Sequence, residues 1–384
     1  MNVPAVLRTT RHEEISICKD DIKRILVFYD AKIYYIGDFC LRVGRVRYVK
    51  NFFRNTSLHL NFTEKASRKI YESLLGNNPY IDSMSRLSAD EIDFEKYDFV
   101  LVAVYDEIAF WKYLKSRYGP GLEEGRLRVR FFSLSWLFLP EKDTVSYAIP
   151  GYGEFNDYMG DRRGKTTELY ISPEERQWAN SWLEARGVMP GDRLLIILDA
   201  TSDRRKMLNV NVHFEVLMYL LSKPDVKILI YDENKLGKEA FYREWLGEER
   251  MQKLIFASGN QLREDLCLIG SDYTRMMMGP CTGLMHCAVS IFNNYISKGL
   301  SLEKVPALIT YTGDYTKNRN AKTWWGGVPL IDCLLLEERN GETTLFTLNE
   351  LSDEQRTLNR GIPCTGYTAE MLINFLKKRL QTIL

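Results

Sequence analysis

The chain is poor in the residues that most often announce chemistry on their own. Its 384 residues hold only 4 histidines and 7 cysteines. The cysteine number is low and odd and no two have CxxC spacing, which fits a reducing compartment without a disulfide framework. The histidines, at positions 12, 59, 213 and 286, never form HExxH, which excludes a zincin. There is no GxSxG nucleophile elbow and no GxxxxGK[ST] phosphate loop. The glycine-rich stretch Gly119–Gly125 follows a helical pattern rather than a strand, so it reads as a turn and not as a dinucleotide fingerprint. An excess of one charge is missing too. With 52 Lys and Arg against 51 Asp and Glu, the net charge is +1, which excludes a globally basic nucleic-acid binder and an acidic disordered chain. Long apolar runs are absent. The longest, Phe131–Leu139, is interrupted by Ser133 and Ser135 and falls well short of the roughly 20 residues a membrane helix needs. The first residues, MNVPAVLRTTRHEEISICKDD, lack the apolar run of a signal peptide, so a soluble cytoplasmic protein is expected.

What is present is an ordinary globular mix, 45% hydrophobic and 27% charged, long enough for two or three domains at about 150 residues each. Short apolar runs alternate with helical patterns. Arg24–Asp30, Leu58–Phe62 and Phe99–Tyr105 read as buried strands, with weaker candidates at Val129–Leu134 and Thr144–Ile149. Helical spacing covers Leu41–Phe53 and Glu64–Leu75, the latter stopped by Asn77-Asn78-Pro79. Pro150–Thr167 is polar, contains glycine and has no periodicity, so it is assigned as a linker. A helix then starts sharply at Ser172-Pro173-Glu174-Glu175, with Ser172 as N-cap and Glu175 completing a capping box. The second half repeats the alternation, with strands at Leu194–Leu198, Val226–Tyr231, Leu254–Ala257, Met276–Gly279 and Ala307–Tyr311, and helices over His213–Leu221 and Lys238–Trp245. Thr368–Leu384 has one apolar helical face that must dock somewhere. Alternation of this kind implies parallel βαβ units with helices on both faces, here in two doubly wound α/β halves with a cleft between them. The boundaries expected are 1–165, 166–355 and a C-terminal helical segment, 356–384, packing across the domains.

Three constellations fall where an open α/β sheet binds ligands, at the carboxyl ends of strands. After the first strand comes Ala31–Asp38, in which Gly37 permits close backbone approach and Asp38 stands near the start of a helix. Asp38 is either a helix cap or a reactive carboxylate. After the first strand of the second half comes Asp199–Lys206, with Thr201, Ser202 and Lys206 suited to a phosphate unless the loop is simply solvated. Third is Gly279–Ala288, where a strand gives way to a helix whose free N–H groups would face an anion. The other reading of that segment is a plain strand-to-helix turn with a core histidine at 286.

Together these resemble glycosyltransferase family 9, the group of the lipopolysaccharide heptosyltransferases. Ile36-Gly37-Asp38 resembles the family's motif after its first strand, and Asn78-Pro79-Tyr80-Ile81-Asp82 resembles an element of its N-terminal half. Asp199–Leu208 is similar to the segment HATTRDDKHWP, with Lys206 on its lysine. Cys281-Thr282-Gly283-Leu284-Met285-His286 resembles the signature DTGxxH, with Cys281 in place of the acid. The resemblance runs from about residue 24 to 311. It implies a GT-B fold, two Rossmann-like domains facing a central cleft, with the acceptor bound by the first and the nucleotide-sugar donor by the second. It implies an inverting, metal-independent transfer without a cofactor, consistent with the absence of any DxD sequence. Asp38 would be the general base on the acceptor hydroxyl. Thr201, Ser202, Lys206, Cys281, Thr282, Gly283, Leu284 and His286 would line the donor site, with Cys281 bearing on the choice of sugar. An acid that contacts the ribose would be Glu233 or Glu239.

Arg42–Ile70 carries eight basic residues, among them Arg42, Arg45 and Arg47, against the single acid Glu64. With Gly37 this stretch is the candidate acceptor side, able to hold an anionic glycolipid or oligosaccharide or to touch the inner leaflet of a membrane. The alternative is a solvated face balanced by acids from elsewhere. The activity expected is sugar transfer to a lipopolysaccharide or surface-glycan acceptor. The alternatives are a catalytically weak sugar-nucleotide-binding relative and another GT-B enzyme such as a nucleotide-sugar epimerase.

Overall fold

A computed structural model describes residues 18–32, 35–123, 126–135, 148–160, 167–233, 235–313, 330–339, 341–352 and 362–381. The chain divides into two compact units, Met1–Thr167 and Glu168–Leu384.

In the first unit, β1 (Arg24–Asp30), β2 (Ser57–Phe62), β3 (Ser83–Ser85), β4 (Phe99–Val104) and β5 (Arg130–Ser133) form a parallel sheet in the order β3-β2-β1-β4-β5. The central strands are apolar nearly throughout because both faces are covered. All of β4 and Ile25–Tyr29 of β1 are buried. The helices are α1 (Ile36–Val43), α2 (Val46–Phe52), α3 (Arg68–Leu75), α4 (Glu107–Tyr118), α5 (Pro120–Glu123) and α6 (Gly153–Gly160). The helical spacing over 41–53 resolves into two helices separated at Gly44. A Cβ there would lie 2.4 Å from Cβ of Thr167, so only glycine permits this approach.

The assigned linker is a correction. Residues 153–160 form α6, and Tyr152 and Phe155 are buried against Phe52 and Phe53 of α2 and its C-cap. Four aromatic rings offset the polarity that hid this helix from periodicity. Of the strand expected over 144–149, residues 144–147 lie outside the described residues. The N–H groups of Ala148 and Ile149 donate to Oε2 of Glu107 at 3.1 and 2.9 Å. Burial raises the pKa of Glu107 despite these bonds and one from Ser133.

The second unit holds β6 (Arg193–Ile197), β7 (Val226–Asp232), β8 (Leu254–Ser258), β9 (Thr274–Pro280), β10 (Ala307–Tyr311), β11 (Ile331–Arg339) and β12 (Glu342–Thr347). Their order is β12-β11-β10-β9-β6-β7-β8, parallel except for the antiparallel β11–β12 pair. That hairpin was not anticipated, although Asn340-Gly341 between two runs is a hairpin signal. The helices are α7 (Pro173–Glu184), α8 (Val210–Leu221), α9 (Lys238–Met251), α10 (Leu262–Ile269), α11 (Gly283–Ser297) and α12 (Ala369–Leu380). The C-terminal helix α12 buries Leu372, Leu376 and Leu380 in the core of this unit, beside Phe214 and Leu217 of α8.

The capping box at Ser172 forms as the sequence indicates. Ser172 Oγ accepts from Glu175 N–H at 3.2 Å, and Glu175 Oε2 accepts from Ser172 N–H at 2.9 Å. Arg263 of α10 then clamps the same carboxylate at 2.6 and 2.7 Å. Ser172→Ala is expected to cost about 1 kcal/mol, read as a lower urea midpoint at unchanged slope. An unchanged midpoint would mean that the Arg263 clamp alone holds the start of α7.

Candidate functional site

In the second unit the strand order reverses between β6 and β9. The chain leaves β6 toward β7 on one side and β9 toward β10 on the other. Loops at such a point diverge and leave a crevice at the carboxyl end of the sheet. The loops there are Leu198–Asn209 and Cys281–Thr282, which are the second and third constellations of the sequence. Gly279 lets their backbones meet. A Cβ on it would stand 2.4 Å from Cβ and 2.9 Å from the carbonyl oxygen of Leu198.

Lys206 ends a short 3₁₀ turn, Arg204–Lys206, and its Nζ donates to the carbonyl of Cys281 at 3.1 Å. One ammonium therefore joins two segments 75 residues apart. The turn is capped by Asp203, which accepts from Arg205 N–H at 3.0 Å and from the Arg205 guanidinium at 3.0 and 2.7 Å. That guanidinium, first of all, holds the Asp203 carboxyl down to about 2. Asp203 and Arg205 thus neutralise one another, and Lys206 is the cation aimed at the β9–α11 turn. Thr201 is half-buried and Ser202 exposed on the same loop.

Thr282 is the N-cap of α11, extended at φ −130°, and its side chain makes no capping hydrogen bond among the described residues. Gly283 and Leu284 follow as the first two helical positions, at the end of a 15-residue helix where N–H groups and the positive dipole end concentrate. Cys281 and His286 are buried. Burial, and then the nearby Lys206 charge, push the His286 imidazole down to about 3. It is therefore neutral at pH 7, which suits a core histidine and not a cation for an anion.

A second set of residues lies beneath this loop, and the sequence analysis did not connect them. Asp199 Oδ1 accepts from Lys238 Nζ at 2.6 Å, and Oδ2 accepts from the Tyr242 hydroxyl at 2.8 Å. His213 Nε2 lies 2.9 Å from that hydroxyl. Since the hydroxyl donates to Asp199, the imidazole is its donor. Burial is the main cause that lowers the His213 pKa. No local signal links residues 39 and 43 positions apart. Of the two acids considered for a ribose, Glu233 adjoins this set, 3.4 Å from Lys238. Glu239 instead pairs with Arg243 along α9 at 2.8 Å.

In the first unit the same reversal falls between β1 and β4. Tyr35, not Asp38, is the N-cap of α1, so the capping reading of Asp38 is corrected. Asp38 occupies the third helical position and is exposed, while Gly37 is buried. At the end of β1, Asp30 accepts from Lys65 Nζ at 2.6 Å and from the Thr63 hydroxyl. The basic stretch is not a uniform cationic face. Lys50 pairs with Asp82, Lys65 with Asp30 and Arg68 with Glu72. Arg42, Arg45 and Arg47 are half-buried on or beside α1 and α2, with Arg47 donating to the Tyr48 hydroxyl at 2.7 Å.

Among the described residues no group of three His, Cys, Asp or Glu is placed to hold a metal, and no helix is long and apolar enough to cross a membrane.

Two Rossmann-like α/β units, each with its strand-order reversal at a loop-lined edge, define the GT-B class of fold. No protein-family model and no curated protein matches the sequence. Solved structures do match. A glycosyl transferase family 9 protein from Veillonella parvula superposes with a TM-score of 0.58 at 13% identity, over 95% of this chain and 99% of that one. The E. coli ADP-heptose lipopolysaccharide heptosyltransferase II gives 0.57 at 12% identity, over 93% and 98%. The chain shares the fold of these enzymes over nearly its whole length.

Proposed function

We propose that the chain is an inverting, metal-independent glycosyltransferase, transferring a sugar from a nucleoside-diphosphate sugar to an anionic lipopolysaccharide or surface-glycan acceptor. The observation that carries the donor half is the Lys206–Cys281 contact at the start of α11, which sets an ammonium beside a helix N-terminus at the β6/β9 reversal. Charge-assisted contacts and helix N–H groups together suit a diphosphate. As the bond to the anomeric carbon breaks, negative charge builds on the diphosphate. Lys206 and the Thr282–Leu284 backbone stabilise it, with Thr201 and Ser202 at the rim. Cys281 is held inward and bears on the sugar rather than on the phosphates. Asp38 takes the proton of the attacking hydroxyl from the acceptor side, where Gly37, Arg42, Arg45 and Arg47 receive an anionic glycan. Reaction is at the cytoplasmic face, with peripheral contact to the inner leaflet. The fold shared with the lipopolysaccharide heptosyltransferase supports this class of acceptor.

The direct test is thermal stability in ADP, GDP, UDP and CDP. One of them, at about 100 times its dissociation constant, should add roughly 2.7 kcal/mol to stability. Turnover of the matching nucleotide sugar should then release that diphosphate with a glycosylated acceptor. A chain whose melting is unmoved by all four is not a nucleotide-sugar enzyme.

A further inference from the structure

Asp199 leaves the end of β6 at the strand-order reversal and opens the loop that carries Lys206. A bare carboxylate there would repel a diphosphate. Its two oxygens are instead fully engaged from the helix side. Lys238, the first residue of α9, donates to one and the Tyr242 hydroxyl to the other, with His213 donating to Tyr242 in turn. Lys238 also donates to the carbonyl of Tyr231 and lies 3.4 Å from Glu233. The side chains of Asp199 and Lys238 are only 13% and 12% exposed, so solvent screens the pair weakly. The ammonium thus donates to Asp199 on that loop, to the Tyr231 carbonyl and toward Glu233.

We infer that Lys238 is a positioning residue that neutralises Asp199, keeping the field at the Lys206–α11 anion site net positive and so setting the preference for a diphosphate over an uncharged nucleoside. The inference rests on the donor site proposed above. Loss of Lys238 leaves a partly buried negative charge on the loop that carries Lys206. In a medium of low effective dielectric its repulsion reaches beyond contact distance. Loss of both charges restores the net charge of the wild-type cluster, in which Glu233 remains. A purely structural role would behave differently: disturbing the loop weakens nucleoside and diphosphate alike, and removing both partners does not repair it.

The experiment is calorimetric titration of whichever of ADP, GDP, UDP and CDP binds the wild type, and of its parent nucleoside, into wild type, Lys238→Met, Asp199→Asn, the double variant and Lys206→Ala. Melting temperature reports whether each is folded. For Lys238→Met, diphosphate affinity should fall about tenfold with nucleoside affinity near wild type. Asp199→Asn, which removes the charge in a side chain of the same shape, should bind the diphosphate as tightly as wild type or more so. The double variant should return to within about threefold of wild type. Equal losses for nucleoside and diphosphate, an unaffected Lys238→Met, a weakened Asp199→Asn or an unrepaired double variant would each overturn the inference. Diphosphate binding that falls in Lys206→Ala but not in Lys238→Met overturns this inference alone. A wild type that binds none of the four diphosphates overturns the donor site and the inference with it.

Discussion

Asp38→Asn should lower sugar transfer by about 10²–10⁴ while leaving melting temperature and nucleoside-diphosphate affinity near wild type. A sugar hydroxyl is a weak nucleophile at neutral pH, and its proton must leave as the new bond forms. A carboxylate within hydrogen-bond reach takes it, and an amide of the same shape cannot. The substitution isolates this role because Asp38 is not the N-cap of α1. That position belongs to Tyr35. Asp38 sits in the first turn of α1, where its charge favours the dipole by about 0.3–1 kcal/mol. Single-turnover assays with saturating donor separate the chemical step from binding. A stable Asp38→Asn protein that transfers sugar at the wild-type rate would move the base to another carboxylate of the first unit.

Lys206→Ala should weaken nucleoside-diphosphate binding about tenfold or more, the loss of a charge-assisted contact worth roughly 1.5–3 kcal/mol. The effect has two parts. The ammonium is removed, and so is the donor to the Cys281 carbonyl that ties the β6 loop to the start of α11. Lys206→Gln keeps a donor without the charge and separates them. Recovery with Gln would assign the loss to the tether, and no recovery to the charge. Wild-type affinity should fall as salt rises, and the alanine variant should show a shallower dependence. Equal calorimetric affinity for wild type and Lys206→Ala would reduce the loop to solvated surface.

The elements most legible in the sequence are those whose information is local. β1, β4, β6 and β7 are apolar nearly throughout because helices cover both faces of a parallel sheet, and uninterrupted apolar runs survive as a signal in the chain. The start of α7 was legible because a capping box is spelled out in four consecutive residues. The loops after β1, β6 and β9 were legible as candidate sites because ligands gather at strand carboxyl ends, and each of the three holds the residue types an anion or a hydroxyl requires.

The tertiary structure decided everything that depends on residues far apart in the chain. α6 looked like a linker because its stability comes from aromatic rings on α2 and not from its own periodicity. The sequence left open whether acids from elsewhere balance the cationic stretch, and only the fold brings Asp30 and Asp82 to Lys65 and Lys50. Asp199 and Lys238 became a pair only when β6 and α9 came together, and Lys206 met Cys281 only because the strand order reverses between β6 and β9. Composition and periodicity report burial, a one-dimensional property of each segment. Charge pairing and site assembly are set by which strand ends become neighbours, and strand order is fixed by the packing of whole βαβ units rather than by any one of them.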